Sequence, residues 1–152
     1  MKVSPEELKH RLNQFKESAK QSGIKLTHQR IEIFKEIAKS TTHPNVATIY
    51  KGVRKRIPSV SLDTVYRTLW TFLDLRLITT LGPNRKKTRF DANMKPHHHF
   101  ECIKCSKTYD FYSKEFDQII IPDSVITMGN VNKVQVVAKG LCFQCSKIKE
   151  KT

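Results

Sequence analysis

The chain has 152 residues, room for one domain or two small ones. It carries 28 Lys and Arg against 14 Asp and Glu, a formal charge of +14, and 38% apolar residues, too many for a disordered chain. No apolar run matches a membrane span, and the polar N-terminus lacks the apolar core of a secretory signal. A soluble, cytoplasmic protein with no membrane partner is the expectation.

Residues 1–96 hold 20 basic and 8 acidic residues, and residues 97–152 hold 8 and 6. A basic N-terminal part joined to a nearly neutral C-terminal part points to a polyanion-binding module attached to something else.

Apolar residues at spacings of three and four (Leu8, Leu12, Phe15, Ala19) predict a helix over 5–22, capped by Ser4, with Pro5 in its first turn and Gly23 ending it. Thr27 caps a second helix with Ile31, Phe34, Ile37 and Ala38 on one face. Asn45 caps a third, to about Arg56, burying Val46, Ile49, Tyr50 and Val53 before Pro58. Ser61 caps a fourth, to about Leu75, with Leu62, Val65, Leu69, Phe72 and Leu73 as its buried stripe and Asp63, Tyr66, Arg67, Trp70 and Thr71 on the other side. A hairpin follows, with strands at 77–81 and 86–90 around Gly82-Pro83-Asn84. Helices followed by a basic-tipped hairpin make a winged helix-turn-helix, whose last helix enters the major groove. Residues 91–96 have linker composition. Beyond them strand periodicity is expected at 100–102, 108–112, 125–128 and 134–138, with a short helix over 114–121 cut by Pro122. The fold class is therefore α+β, with an N-terminal winged-helix domain over 1–90, a hinge over 91–96 and a small α/β domain over 97–152.

All four cysteines lie in the last third, as Cys102-x-x-Cys105 and Cys142-x-x-Cys145. In a cytosolic chain two such pairs supply four thiolates to a closed, tetrahedral, structural zinc site rather than forming disulfides. The 36 residues between the pairs exceed a minimal zinc ribbon, so this metal would pin distant segments together. Upstream stand three consecutive histidines. On a strand His97 and His99 share a face and His98 points away, which makes half of a second metal site. His43, Asp91 and Asp110, at structural transitions, are the candidates to complete it.

These residues sit in stretches that resemble the ferric uptake regulator superfamily, most closely its peroxide-stress regulator branch: GIKLTHQRIEIF (23–34), HPNVATIY (43–50), SLDTVYRTL (61–69), RFD (89–91), HHHFECIKC (97–105), KTYDF (107–111) and GLCFQCS (140–146). The resemblance covers nearly the whole chain in order. It implies a metal-dependent repressor, not an enzyme, that binds a double-stranded DNA operator as a homodimer through its C-terminal domain. It further implies a regulatory Fe(II) or Mn(II) held by His43, Asp91, His97, His99 and Asp110. Hydrogen peroxide, the one small molecule expected, would oxidise His43 or His97 and release the metal. For DNA contact it implies Tyr66 and Arg67 on the fourth helix, Lys25 in a minor groove, and Arg85, Lys86 and Lys87 on wing-side phosphates. Iron- and zinc-sensing relatives commonly carry Glu where Asp91 or Asp110 stands, so the Asp pair favours peroxide sensing over an iron- or zinc-responsive repressor of the same fold. The stretch 110–141 contains no His, so an accessory metal site is not expected. Asp63 and His28 stand where relatives often have a neutral residue and Pro. A zinc hydrolase or deaminase is disfavoured, because His99-Phe100-Glu101 lacks a downstream P-C-x-x-C. A zinc-ribbon RNA binder would bind its target without regard to Mn(II) or Fe(II).

Overall fold

Ser4, Thr27, Asn45 and Ser61 each accept a hydrogen bond from the backbone N–H three residues on, and each opens a helix: α1 (Pro5–Gln21), α2 (His28–Ala38), α3 (Val46–Arg54) and α4 (Leu62–Asp74). Each such cap contributes about 1 kcal/mol by satisfying an amide that the helix leaves open. Beyond α1, Gly23 takes a left-handed φ of 72°, which a side chain would penalise. These elements come from a computed structural model that describes residues 2–82 and 88–147, and the chain divides into two units, Met1–Met94 and Lys95–Thr152.

The core of the first unit is aromatic at its centre. Phe15 of α1 stacks on Phe34 of α2 at 3.9 Å between centroids, and Phe72 of α4 meets both edge-on. Ile33, Ile37, Ile49, Val53, Val65 and Leu69 close around them. Two expected helix faces are corrected. On α2 Ile33 is buried and Ile31 only half-buried, and the same face takes Glu32 and Glu36 inside. On α4 the packing begins at Val65: Leu62 is exposed, while Thr68 joins the buried stripe. Position 62 lies in the first turn, before the helix reaches the core.

After α4, Arg76 adopts a φ of 56° and the Leu77 amide bonds back to the Phe72 carbonyl, turning the chain into the hairpin. Its strands are β1 (Thr79–Leu81) and β2 (Arg89–Asp91), antiparallel, with Thr79 opposite Asp91 and Leu81 opposite Arg89. Leu77 and Ile78, expected on the strand, are buried just ahead of it. The turn residues Pro83 and Asn84, with Arg85, Lys86 and Lys87, lie outside the described residues.

In the second unit, β3 (His98–Cys102) is the middle strand of three. It pairs antiparallel with β4 (Thr108–Phe111) and parallel with β5 (Val137–Gly140). The crossover between β4 and β5 contains α5 (Lys114–Asp117) and α6 (Asp123–Ile126), and α7 (Phe143–Lys147) follows β5. The strand expected over 125–128 is instead the end of α6 and its following turn. Pro122 has φ −62° and Asp123 sits in the first turn, a helix-start pattern that overrides the β-branched residues. The helix expected over 114–121 stops at Asp117, and the last strand begins three residues later than expected and ends two later. Among the described residues, no helix is long and apolar enough to cross a membrane.

Candidate metal centre

The parallel pairing of β3 with β5 sets Cys102 opposite Gly140, so Cys142 arrives beside Cys102. The chain folds over β3's end in a tight knuckle: Ser106 has φ 57° and its amide bonds to the Cys102 carbonyl at 2.8 Å, while the Ile103 amide bonds to Gly140. Cys145 enters from the first turn of α7. The four sulfurs then lie within 4.8 Å of one another. Cys105 Sγ is 3.8 Å from Cys142 Sγ, far beyond a disulfide bond, and all four cysteines are free thiols. An S···S edge of about 3.8 Å is what four Zn–S bonds of about 2.3 Å make in a tetrahedron.

Electrostatics agree with a thiolate site. Backbone N–H groups of Cys105 and Cys142 point at Cys102 and pull its thiol down to about 6. Hydrogen bonding with Cys142, and then burial, push Cys145 up to about 12. Four thiols crowded in this way cannot all ionise without a cation among them, and three are buried. The donor set fits a closed zinc site with no open position.

Each unit also carries a set of nitrogen and oxygen donors. In the first, His43 stands just ahead of α3 with a φ of 52°, a conformation costly for a side chain. Arg89 Nη1 donates to the His43 carbonyl at 2.9 Å, and the Phe90 amide to Pro44 at 3.0 Å. These bonds dock β2 beside residue 43 and bring Asp91 Oδ1 to 3.5 Å from His43 Nδ1. Asp91 is oriented by the Asn93 amide at 2.7 Å, and both side chains are buried.

In the second unit, the register of β3 on β4 sets His99 opposite Asp110. His97 Nε2 lies 3.0 Å from His99 Nε2, and Asp110 Oδ1 lies 3.7 and 3.3 Å from those two atoms. His97 Nδ1 donates to the Lys95 carbonyl at 2.6 Å, which leaves Nε2 as its lone-pair atom in the neutral ring. Two imidazole nitrogens and a carboxylate oxygen on one point form a donor cluster of the kind a divalent cation takes. His98 points the other way, as strand alternation requires. Its Nε2 meets Asp117 Oδ1 at 3.0 Å and its Nδ1 accepts from the Val136 amide at 3.1 Å.

Of the residues expected at DNA, Lys25 is exposed before α2, Tyr66 and Arg67 are exposed on α4, and Arg67 Nε pairs with Asp63 Oδ2 at 2.8 Å. Sequence reasoning left two features of this unit unassigned. Trp70 is 54% exposed, one turn beyond Tyr66, and borders a groove of about 430 Å³ with Leu73, Thr80 and Phe90. On α3 and its C-cap, Lys51, Arg54 and Lys55 form an exposed basic edge, with Arg54 over the Tyr50 ring. Its signal in the sequence is a basic stripe opposite Val46, Ile49 and Val53.

The model of the ferric uptake regulator family matches residues 21–136. Over 145 residues the chain is 30% identical to the peroxide-responsive repressor PerR of Staphylococcus aureus strain Mu50, covering 95% of this chain and 98% of that protein. Among solved structures, the Campylobacter jejuni peroxide stress regulator is 28% identical with a TM-score of 0.63, over 88% of this chain and 98% of its own. The Helicobacter pylori ferric uptake regulator, described as having three functional metal-binding sites, shares the fold at a TM-score of 0.68 and 22% identity, over 96% and 97% of the two chains.

Proposed function

This chain belongs to the ferric uptake regulator family, whose members are metal-responsive repressors and not enzymes, and on that premise we propose that it senses hydrogen peroxide through a regulatory divalent metal. The observation that carries the reading is the likeness to a peroxide-responsive repressor along nearly the whole length of both chains. His43 and Asp91 from the first unit, with His97, His99 and Asp110 from the second, are proposed to hold one ion. Three imidazoles and two carboxylates suit Fe(II) or Mn(II). Fe(II) held by these residues would activate hydrogen peroxide, the two-electron oxidant, so that one of its oxygens would be added to the imidazole of His43 or His97 and the other would leave as water.

The chain's own residues orient that site and respond to its loss. The Lys95 carbonyl fixes the His97 ring, the Asn93 amide fixes Asp91, and Arg89 holds the backbone of His43 in place. An oxidised imidazole is a weaker ligand, so the tie between ligands of the two units fails and the DNA-binding form loses its advantage. A metal that binds one form about 10⁴-fold better than the other is needed to swing that equilibrium completely. Cys102, Cys105, Cys142 and Cys145 hold a structural Zn(II) that takes no part in sensing.

The partner is double-stranded DNA, and the protein acts as a cytoplasmic homodimer. α4 lies in the major groove with Tyr66 and Arg67 at the bases, Lys25 reaches a minor groove, and Arg85, Lys86 and Lys87 meet phosphates. The second unit supports the dimer with a run of exposed apolar side chains, Ile119, Ile120, Ile126 and Met128, that a solitary chain would leave in water.

The test is to load the full chain with Fe(II), add stoichiometric peroxide, and follow both peptide mass and operator binding. The expected result is one added oxygen on the peptide bearing His43 or His97, with loss of DNA binding, while the Mn(II) form keeps its DNA. Metal-dependent DNA binding with no mass gain would make the protein an iron- or zinc-responsive repressor. Binding indifferent to Mn(II) would overturn the metal-dependent reading altogether.

A further inference from the structure

Four residues of α4 at spacings of three, four and seven, Asp63, Tyr66, Arg67 and Trp70, are exposed, opposite the buried Val65, Thr68, Leu69 and Phe72. On the reading of α4 as the helix that meets DNA, we propose that Asp63 is the residue that makes Arg67 a base reader. By biasing the orientation of the guanidinium, it favours a guanine at the base pair that Arg67 meets.

Asp63 is the one carboxylate in that stripe, on a unit with a large positive excess, and it faces where a polyanion would lie. An acidic group there lowers affinity for any DNA unless it has a partner. Its partner is Arg67, with Nε 2.8 Å from Oδ2. The two side chains are 69% and 81% exposed. A pair so exposed does little for folding. Its consequence falls on what the helix presents.

An unrestrained arginine on this face would sweep several rotamers and settle on phosphate oxygens, which carry no sequence information. The charge of Asp63 biases those rotamers toward the one with Nε 2.8 Å from Oδ2. With Nε turned to the carboxylate, the Nη1 and Nη2 groups are the donors left for a base edge. Guanine presents two acceptors, O6 and N7, in the major groove at matching spacing, and adenine presents one acceptor beside a donor. An arginine biased in this way separates guanine from adenine better than one that sweeps all its rotamers. The carboxylate also penalises approach to phosphate alone, so Asp63 trades general affinity for discrimination.

The experiment uses the full chain loaded with Mn(II) and a library of random duplexes. From the duplex selected by the wild type, each guanine is replaced in turn by adenine and the affinities are compared. The expected result is one guanine in each half-site whose replacement costs the wild type about tenfold. Asp63→Ala is expected to cut that one penalty to about threefold or less, while binding unselected duplex more tightly than the wild type does. Asp63→Glu, which pairs well with a basic residue four positions on, is expected to restore the penalty. Arg67→Ala is expected to abolish it at the same base pair. A guanine penalty unchanged in Asp63→Ala, or penalties changed in equal proportion at every position, would overturn the inference and leave the repressor reading standing. If the wild type selects no duplex, the repressor reading falls and takes the inference with it.

Discussion

Arg56 reaches from beyond α3 to two carboxylates that α2 carries inside the first unit, and removing it gives a sharp test of how that unit is held. Glu32 and Glu36 are each about 5% exposed. Arg56 Nε donates to Glu32 and Nη2 to Glu36 at 2.7 Å, while Lys35 and Lys39 reach the same carboxylates at 2.8 and 2.6 Å. Stripping one member from a fully buried ion cluster costs about 3–5 kcal/mol. Here the lysines remain and the arginine is itself 39% exposed, so Arg56→Met is expected to cost about 2 kcal/mol at neutral pH. For a unit of this size that lowers Tm by about 8–16 °C. The pH dependence has a definite sign. Burial raises the Glu32 carboxyl, but hydrogen bonds and charge from Lys35 and Arg56 outweigh it and leave the group below its ordinary 4.5. A carboxylate lowered in this way stabilises the fold fully above 4.5, and the contribution fades as pH falls below that through the lowered value. The difference between wild type and Arg56→Met must therefore shrink in acid. Trp70, the single tryptophan, reports this unit by fluorescence during urea titration of the full chain. A variant within about 0.5 kcal/mol of wild type at pH 7, the usual scatter of surface changes, or a gap that widens on acidification, would refute the reasoning.

Gly52 faces the same cluster. A Cβ there would overlap the Glu36 carboxylate, so Gly52→Ala is expected to lose about 1 kcal/mol despite its better helix propensity, and to stabilise the protein instead in a Glu36→Ala background, both read by urea titration. Cys102→Ser is expected to abolish stoichiometric zinc, measured by metal analysis, and to remove hydrogen-exchange protection from β3 and β5 while that of α2 and α4 persists. Charging the exposed apolar run with Ile120→Asp and Met128→Asp is expected to give a monomer by sedimentation and to weaken operator binding at least tenfold.

What could be read from the sequence was what is local. The caps at Ser4, Thr27, Asn45 and Ser61 act within three residues, and each lay where its helix begins. The opposed faces of His97 and His98 follow from strand alternation alone. What escaped depends on partners far along the chain. Glu32 and Glu36 look like solvated helix charges until Arg56, 24 and 20 residues on, is set against them. Ile31 and Ile33 are equally apolar, and only the tertiary arrangement chooses between them. The run Val125–Met128 has strand composition, yet Pro122 and Asp123 start a helix there. The Asp117 that meets His98 was likewise invisible, since its sequence neighbours give no hint of a buried imidazole across the unit.

The parallel union of β3 with β5 fixes an order of events during translation. The middle strand is made early in its unit, but its parallel neighbour and the second thiol pair are made some forty residues later. A nascent chain that has just exposed β3 and β4 holds one sheet edge open and two sulfurs unmatched. The ribosome must release Cys145 before the second half can close, so the helical half emerges first and waits for the half that carries the four thiols.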